Sequence, residues 1–203
     1  VSDIEEAGAV RESRVVQRVL DHELQQLVNE ARDYAQWDRT YQFAESRDIT
    51  EHPSLNDQML EQSPAEAVVL FDDQGERFFM LADRARQMEQ DVLPLLVAED
   101  LLKDHQPHAG RLSTPVGNFL IAIEPILQTS GEAPPRGTLV ALQRIDQPML
   151  DQITAQIPGT QIEIFDRQYI DSGADRDAAL AAIAQGAGSV FIDYNGESRI
   201  TTY

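Results

Sequence analysis

The sequence predicts an α+β protein: a long N-terminal helix followed by a mostly antiparallel sheet flanked by helices. Three observations carry this. Residues 2 to 43 contain no proline and repeat apolar side chains at steps of three and four. Two stretches, 67 to 80 and 116 to 145, read as strand, turn or loop, strand. The segments around them return to helical spacing or break into short alternating elements.

The first helix is drawn from Val16, Leu20, Leu24, Leu27, Ala31 and Tyr34, with Gly8 as its weak point. Some forty helical residues span about 60 Å, longer than a domain of this size is wide. The alternation of four and three steps forms a heptad-like seam, which predicts a parallel homodimer contact through residues 4 to 28. Beyond Leu27 the stripe packs equally well on the chain's own sheet. The organisation expected is therefore a helix over 1–43 and a body over 44–203.

After Ser46 a polar connector ends in His52-Pro53, and Ser54 is expected to cap a short helix to about Gln62. Ala67 to Phe71, the turn Asp72-Asp73-Gln74-Gly75 and Glu76 to Met80 predict a hairpin. Asp83 to about Lys103 is helical, with Pro94 kinking or breaking it, and Asp104 to Ser113 reads as loop. Val116 to Leu127 and Gly137 to Ile145 are expected to be adjacent antiparallel strands, parted by a loop that Gly131, Pro134 and Pro135 enforce. Then follow a helix entered at a capping Asp146, a strand from Thr160 to Phe165 and a helix from Asp175 to Ala184. Ser189 to Asp193 and Glu197 to Tyr203 are expected to pair across Tyr194-Asn195-Gly196.

Composition narrows the function. The 203 residues are 42% hydrophobic and 25% charged, a composition that builds a packed core. A net charge of −19, from 35 acidic against 16 basic residues, repels phosphate backbones and anionic lipid, so no nucleic-acid partner is expected. The acidity reads as a solvated surface, with cation binding as the other reading. The absence of cysteine removes disulfides, Cys-based zinc sites and thiol nucleophiles. No apolar run approaches the ~20 residues that span a bilayer. The missing initiator Met and an end in mid-alternation at Tyr203 suggest cuts in a longer chain.

The segment Asp33-Tyr34-Ala35-Gln36-Trp37-Asp38-Arg39-Thr40-Tyr41-Gln42-Phe43 resembles the signature of CHASE4 domains, a helix ending on D-[YW]-A-x-W-D-x-T-Y-x-F. A second block is similar to the later family pattern: Pro125-Ile126, Gly131, Gly137-Thr138-Leu139-Val140 and Arg144-Ile145-Asp146. The chain departs from that pattern at Gln143, where many members carry Gly, and at Ser54-Leu55-Asn56. The resemblance covers roughly residues 1 to 155. It implies a PAS/Cache-like, periplasmic ligand-sensing domain held between two transmembrane helices and coupled to a diguanylate cyclase, phosphodiesterase or histidine kinase. The helix over 1–43 would then carry the signal.

On one continuous helix Tyr34, Trp37, Asp38 and Tyr41 share a face, a suitable wall for an amphipathic small molecule. Asp38 could pair with a cationic ligand group or with Arg144 across a pocket. These five residues are the candidate ligand-binding set; the competing reading is that Trp37 and Tyr41 anchor the helix as core. No cofactor or metal is expected. His105 and His108 have a spacing metals use, but Pro107 separates them and no third ligand is indicated. Asp171 to Asp177 lacks the Gly and Glu of a calcium loop, and Gly186-Ala187-Gly188 follows a helix where a dinucleotide fingerprint would precede one. No spacing joins Ser, His and Asp, so a hydrolase is disfavoured. The sequence thus supports a non-catalytic sensor of an unknown small molecule or, alternatively, a periplasmic protein-interaction module.

Overall fold

The computed structural model describes residues 2–98, 102–114, 116–131, 133–155, 163–166 and 189–192. It divides into two compact units, residues 24–110 with 114–144, and residues 1–23 with 111–113 and 145–203. Helix α1 (Ser2–Ala35) contributes to both.

In the first of these units α1 ends at Ala35 and α2 (Asp38–Ser46) begins after a two-residue break. The single helix expected over 2–43 is therefore two. No Pro or Gly marks the break. Instead the hydroxyl of Thr40 turns back to donate to the carbonyl of Tyr34 at 2.5 Å, giving the end of α1 a side-chain partner in place of a helical N–H. A 3-10 turn at Ile49–Glu51 leads to α3 (Asp57–Gln62), which is capped by Asn56 rather than Ser54: the side-chain oxygen Oδ1 of Asn56 accepts from Met59 N–H at 3.1 Å.

β1 (Ala67–Phe71) and β2 (Arg77–Ala82) form the expected antiparallel hairpin. α4 (Ala85–Gln87), a wide π-turn at Met88–Val92 and α5 (Leu93–Ala98) follow. Pro94 has no N–H for the carbonyl one turn back, and the widened turn just before it relieves the ring's clash there. β3 (His108–Thr114) occupies most of the stretch expected to be loop. It is an edge strand, and an edge strand can be short and polar because it satisfies only one ladder. β4 (Gly117–Pro125) and β5 (Thr138–Arg144) pair antiparallel as expected, in register Ala122 with Ala141. The sheet order is β2-β1-β5-β4-β3. All five residues of β1 are buried, so its two faces are both covered, which is why it reads as an unbroken apolar run.

In the other unit, α6 (Gln147–Ala155) is capped by Asp146 as expected, its carboxylate accepting from Met149 N–H at 3.0 Å. Arg111, almost fully buried, pairs with Asp21 on α1 at 3.0 Å. β6 (Glu163–Asp166) and β7 (Ser189–Ile192) pair in parallel. The expected helix at 175–184, the strand at 197–203, the Asp171 turn and the Gly186 to Gly188 segment lie outside the described residues.

Of the apolar stripe read in α1, Val16, Leu20, Leu27 and Ala31 are buried within the single chain, joined by Val28 and Ala35, while Leu24 and Tyr34 are half-buried. Four residues inside the expected dimer seam, Val16, Leu20, Leu27 and Val28, are covered by the chain itself. Among the described residues no helix is long and apolar enough to cross a membrane.

Candidate functional site: the joint between the first two helices

The five candidate residues divide into two places. Tyr34, Trp37, Asp38 and Tyr41 gather at the α1–α2 joint, whereas Arg144 ends β5 and is bound elsewhere. Its guanidinium takes both oxygens of Glu66, at 2.8 and 3.0 Å, and the Val116 carbonyl at 2.6 Å. Asp38 does not meet Arg144. One of its carboxylate oxygens accepts from Thr129 N–H at 3.0 Å. The pairing suggested by the sequence gives way because each partner finds a nearer, geometrically better one.

Three links fasten the joint to the segment that leaves β4. The Ala35 carbonyl accepts from Leu127 N–H at 3.1 Å, the Gln36 carbonyl from the Thr129 hydroxyl at 2.9 Å, and Asp38 from Thr129 as above. One turn earlier, Arg32 reaches the buried Glu124 of β4 at 3.1 Å. Further round, Tyr41 donates to the Pro134 carbonyl at 3.0 Å, and Arg136 lies 4.1 Å from the Tyr41 ring centre while pairing with Glu45. The Gln36-to-Phe43 motif and the loop between β4 and β5 are therefore one interlocked structure, the physical link between the two blocks read in the sequence.

On the other side of the joint sits an aromatic cluster. Trp37 precedes α2 in extended conformation and leaves its indole 40% exposed, 4.7 Å from the Tyr34 ring and in offset stacking on His52 at 6.0 Å and 19°. The expectation that Trp37 is core is corrected by that exposure: the break in the helix rotates the indole toward solvent. Tyr41 is buried, as the core reading expected, and so is Phe43. His52 is fully buried, and Nε2 lies 2.8 Å from the Thr40 hydroxyl oxygen. Burial holds its imidazole below the ordinary value, with the nearby Arg39 charge acting the same way against a backbone hydrogen bond. Burial likewise raises the phenol of Tyr34, helped by Glu30, and raises the carboxyl of Glu30 itself.

His52, Thr40, Thr129 and Arg136 escaped the sequence reading. Thr40 lies inside the quoted motif, but nothing in a polar connector marks His52 as the residue the chain would bury. His108 pairs with Asp104 at 2.6 Å, and among the described residues no three His, Cys, Asp or Glu side chains converge. A shallow hollow lined by Asp83, Arg84, Arg86 and Asp91 comes from one short stretch and stands open to solvent.

The CHASE4 domain profile matches residues 19–165. No curated protein matches. Among solved structures, the periplasmic domain of Vibrio cholerae LuxQ superposes with a TM-score of 0.53 at 13% identity, over 72% of this chain and 70% of that one. The selenomethionine form of that domain gives 0.51 at 14%, over 72% and 69%. The sensor domain of E. coli DcuS gives 0.42 at 15%, over 67% and 98%. At such identities the likeness to LuxQ is one of fold.

Proposed function

The chain belongs to the CHASE4 family, and from that premise we propose that this extracytoplasmic sensor domain binds a small molecule at the α1–α2 joint and passes the change along α1 to a transmembrane segment. The observation that carries the reading is Trp37. A large aromatic side chain held 40% exposed beside Tyr34 and over His52 is an apolar platform with polar neighbours, the lining amphipathic ligands select. Tyr34 and Trp37 are the contact residues in this proposal, and Asp38 and Tyr41 position them. Coupling follows from the covalent continuity of the joint with α1. The output would be a diguanylate cyclase, a phosphodiesterase or a histidine kinase in the same polypeptide; the sensor domain itself is not catalytic.

The test uses the fact that Trp37 is the sole tryptophan. Its fluorescence is followed against amino acids, organic acids, other metabolites and metal ions, with thermal unfolding in parallel. One chemical class is expected to shift the emission and raise the melting temperature, since a ligand at 100 times its Kd adds ~2.7 kcal/mol. Trp37→Ala is expected to abolish the stabilisation while costing only about 1 to 2 kcal/mol itself, because the side chain is part-exposed. A response that survives in Trp37→Ala places the site elsewhere. A second reading, a protein partner, is favoured by the exposure of both Trp37 (40%) and Ile49 (42%) near the joint, and silence across the whole panel would move the assignment to it.

The homodimer contact is proposed for the face of α1 within residues 4–28 that the chain does not itself cover. Deleting residues 1–14 is expected to convert a dimer to a monomer in sedimentation. A dimer that persists after the deletion moves the contact out of residues 1–14.

A further inference from the structure

We propose that the α1–α2 joint is a pH-responsive latch, closed while His52 is neutral and released when its imidazole takes up a proton. The latch goes beyond ligand binding and draws on the functional reading only for its setting, outside the cytoplasm, where pH follows the surroundings.

The hydrogen bonds fix the proton inventory of the closed state. Thr40 has one hydroxyl proton, and it goes to the carbonyl of Tyr34 at 2.5 Å. Toward His52, 2.8 Å away, the Thr40 oxygen can then only accept, so Nε2 carries the hydrogen and Nδ1 the lone pair. Nδ1 is buried and has no hydrogen-bond partner. A second proton on the ring would thus create a buried N–H and a positive charge with no side-chain acceptor.

Apart from a hydrogen bond to the residue's own backbone, which burial outweighs, the described surroundings give that charge little support. From α2 the charged neighbour is Arg39, which repels it. α1 supplies the Tyr34 phenol, kept protonated by burial and by Glu30. In its own segment the Asp48 carboxylate is occupied by Thr50 N–H and hydroxyl, at 3.0 and 2.7 Å. The Phe43 ring stands edge-on to the imidazole at 6.3 Å, backed by Phe78 and Phe79 of β2. Neither ring nitrogen meets a carboxylate.

The sign follows from linkage. Burial depresses the imidazole in the closed joint below its ordinary 6.5, so the closed form binds fewer protons than an open one. Closure is therefore complete above that value, weakens as pH falls through 6.5, and levels off below the depressed value. Release is local: His52 sits just after one 3-10 turn, and its stacking neighbour Trp37 is itself part-exposed. What opens is the chain His52, Thr40, Tyr34 carbonyl, which is the end of the helix that carries the signal.

The experiment titrates the 203-residue chain from pH 8 to 4.5, reading the imidazole nitrogens by long-range proton–nitrogen NMR and Trp37 by fluorescence, with far-UV circular dichroism alongside. Expected are an Nε2–H tautomer for His52, a midpoint below 6.5, a Trp37 change at that same midpoint and unaltered secondary structure. His52→Gln keeps a donor near Thr40 but cannot titrate in this range, and should lose the Trp37 transition; if it fails to fold, the native titration alone decides. An Nδ1–H tautomer, a midpoint at or above 6.5, a Trp37 signal indifferent to His52, or loss of all secondary structure at that midpoint would overturn the latch. A panel without a ligand leaves this titration unaffected, so the two proposals fail separately.

Discussion

Gly137→Ala is expected to destabilise the protein by about 4 kcal/mol or more, the largest effect of any single methyl group here. Gly137 has φ +109°, where an L side chain is strained, and a Cβ built there would lie 2.0 Å from the Phe71 carbonyl oxygen and 3.0 Å from the Asp72 Cα. Both obstacles are backbone, so no side chain can swing away. To admit the methyl, β5 must draw off β1 at the Phe71–Thr138 pair, and the same residue's carbonyl accepts from Ile126 N–H at 2.9 Å, so β4 is disturbed too. In a chain of this length each kcal/mol moves Tm by roughly 2 to 4 °C, and a loss of about 10 °C or more is expected in a thermal melt. Gly131→Ala is the control. Gly131 also has positive φ, +69°, but a Cβ there meets nothing within 4 Å, and about 1 kcal/mol is expected. Equal melting of the two variants would show that the approach of β5 to β1 is not as close as described.

Arg144→Ala is expected to cost about 3 kcal/mol, because it strands Glu66. The two side chains are only 15% and 12% exposed, joined by two parallel hydrogen bonds, with a third to the Val116 carbonyl and the guanidinium carbon 4.6 Å from the Phe119 ring centre. Gly117 belongs to this arrangement: a Cβ there would fall 2.9 Å from the guanidinium. Arg144→Lys keeps the charge without the fork and should lie between wild type and alanine. Glu66→Leu combined with Arg144→Ala should recover part of the loss, since neither charge is then left unpaired. Urea unfolding of the set reads these differences. If Arg144 instead bound ligand, Arg144→Ala would spare stability and remove the ligand response; the geometry predicts the reverse.

A side chain whose partner lies far along the chain leaves no local signal of that partner. Asp38 and Arg144 looked like a pair because each is a charge in a motif. The sheet register brings Arg144 to Glu66, seventy-eight positions away, and the packing of α2 on the loop after β4 brings Asp38 to Thr129, ninety-one away. The break at Gln36 and Trp37 was equally hidden, since it is made by Thr40 turning back to the Tyr34 carbonyl, a choice that competes evenly with a continuous helix until tertiary contacts decide. β3 was missed because an edge strand carries little apolar pattern, and the parallel pairing of β6 with β7 because local turn chemistry says nothing about a distant strand.

Local physics was legible. The stripe of α1, the β1–β2 hairpin, the β4–β5 pair, the Asp146 cap and the disturbance at Pro94 follow from periodicity, turn residues and proline's missing N–H, which act within a few residues. The family was legible too, from eleven consecutive residues and a second block. The candidate site was legible only as a set of residue types. Its orientation, with Trp37 turned outward, His52 sealed beneath it with one nitrogen unpartnered, and the loop after β4 tied to the joint, was decided by tertiary structure. Burial and long-range hydrogen bonding are properties of what the rest of the chain brings into contact, and no local pattern carries that information.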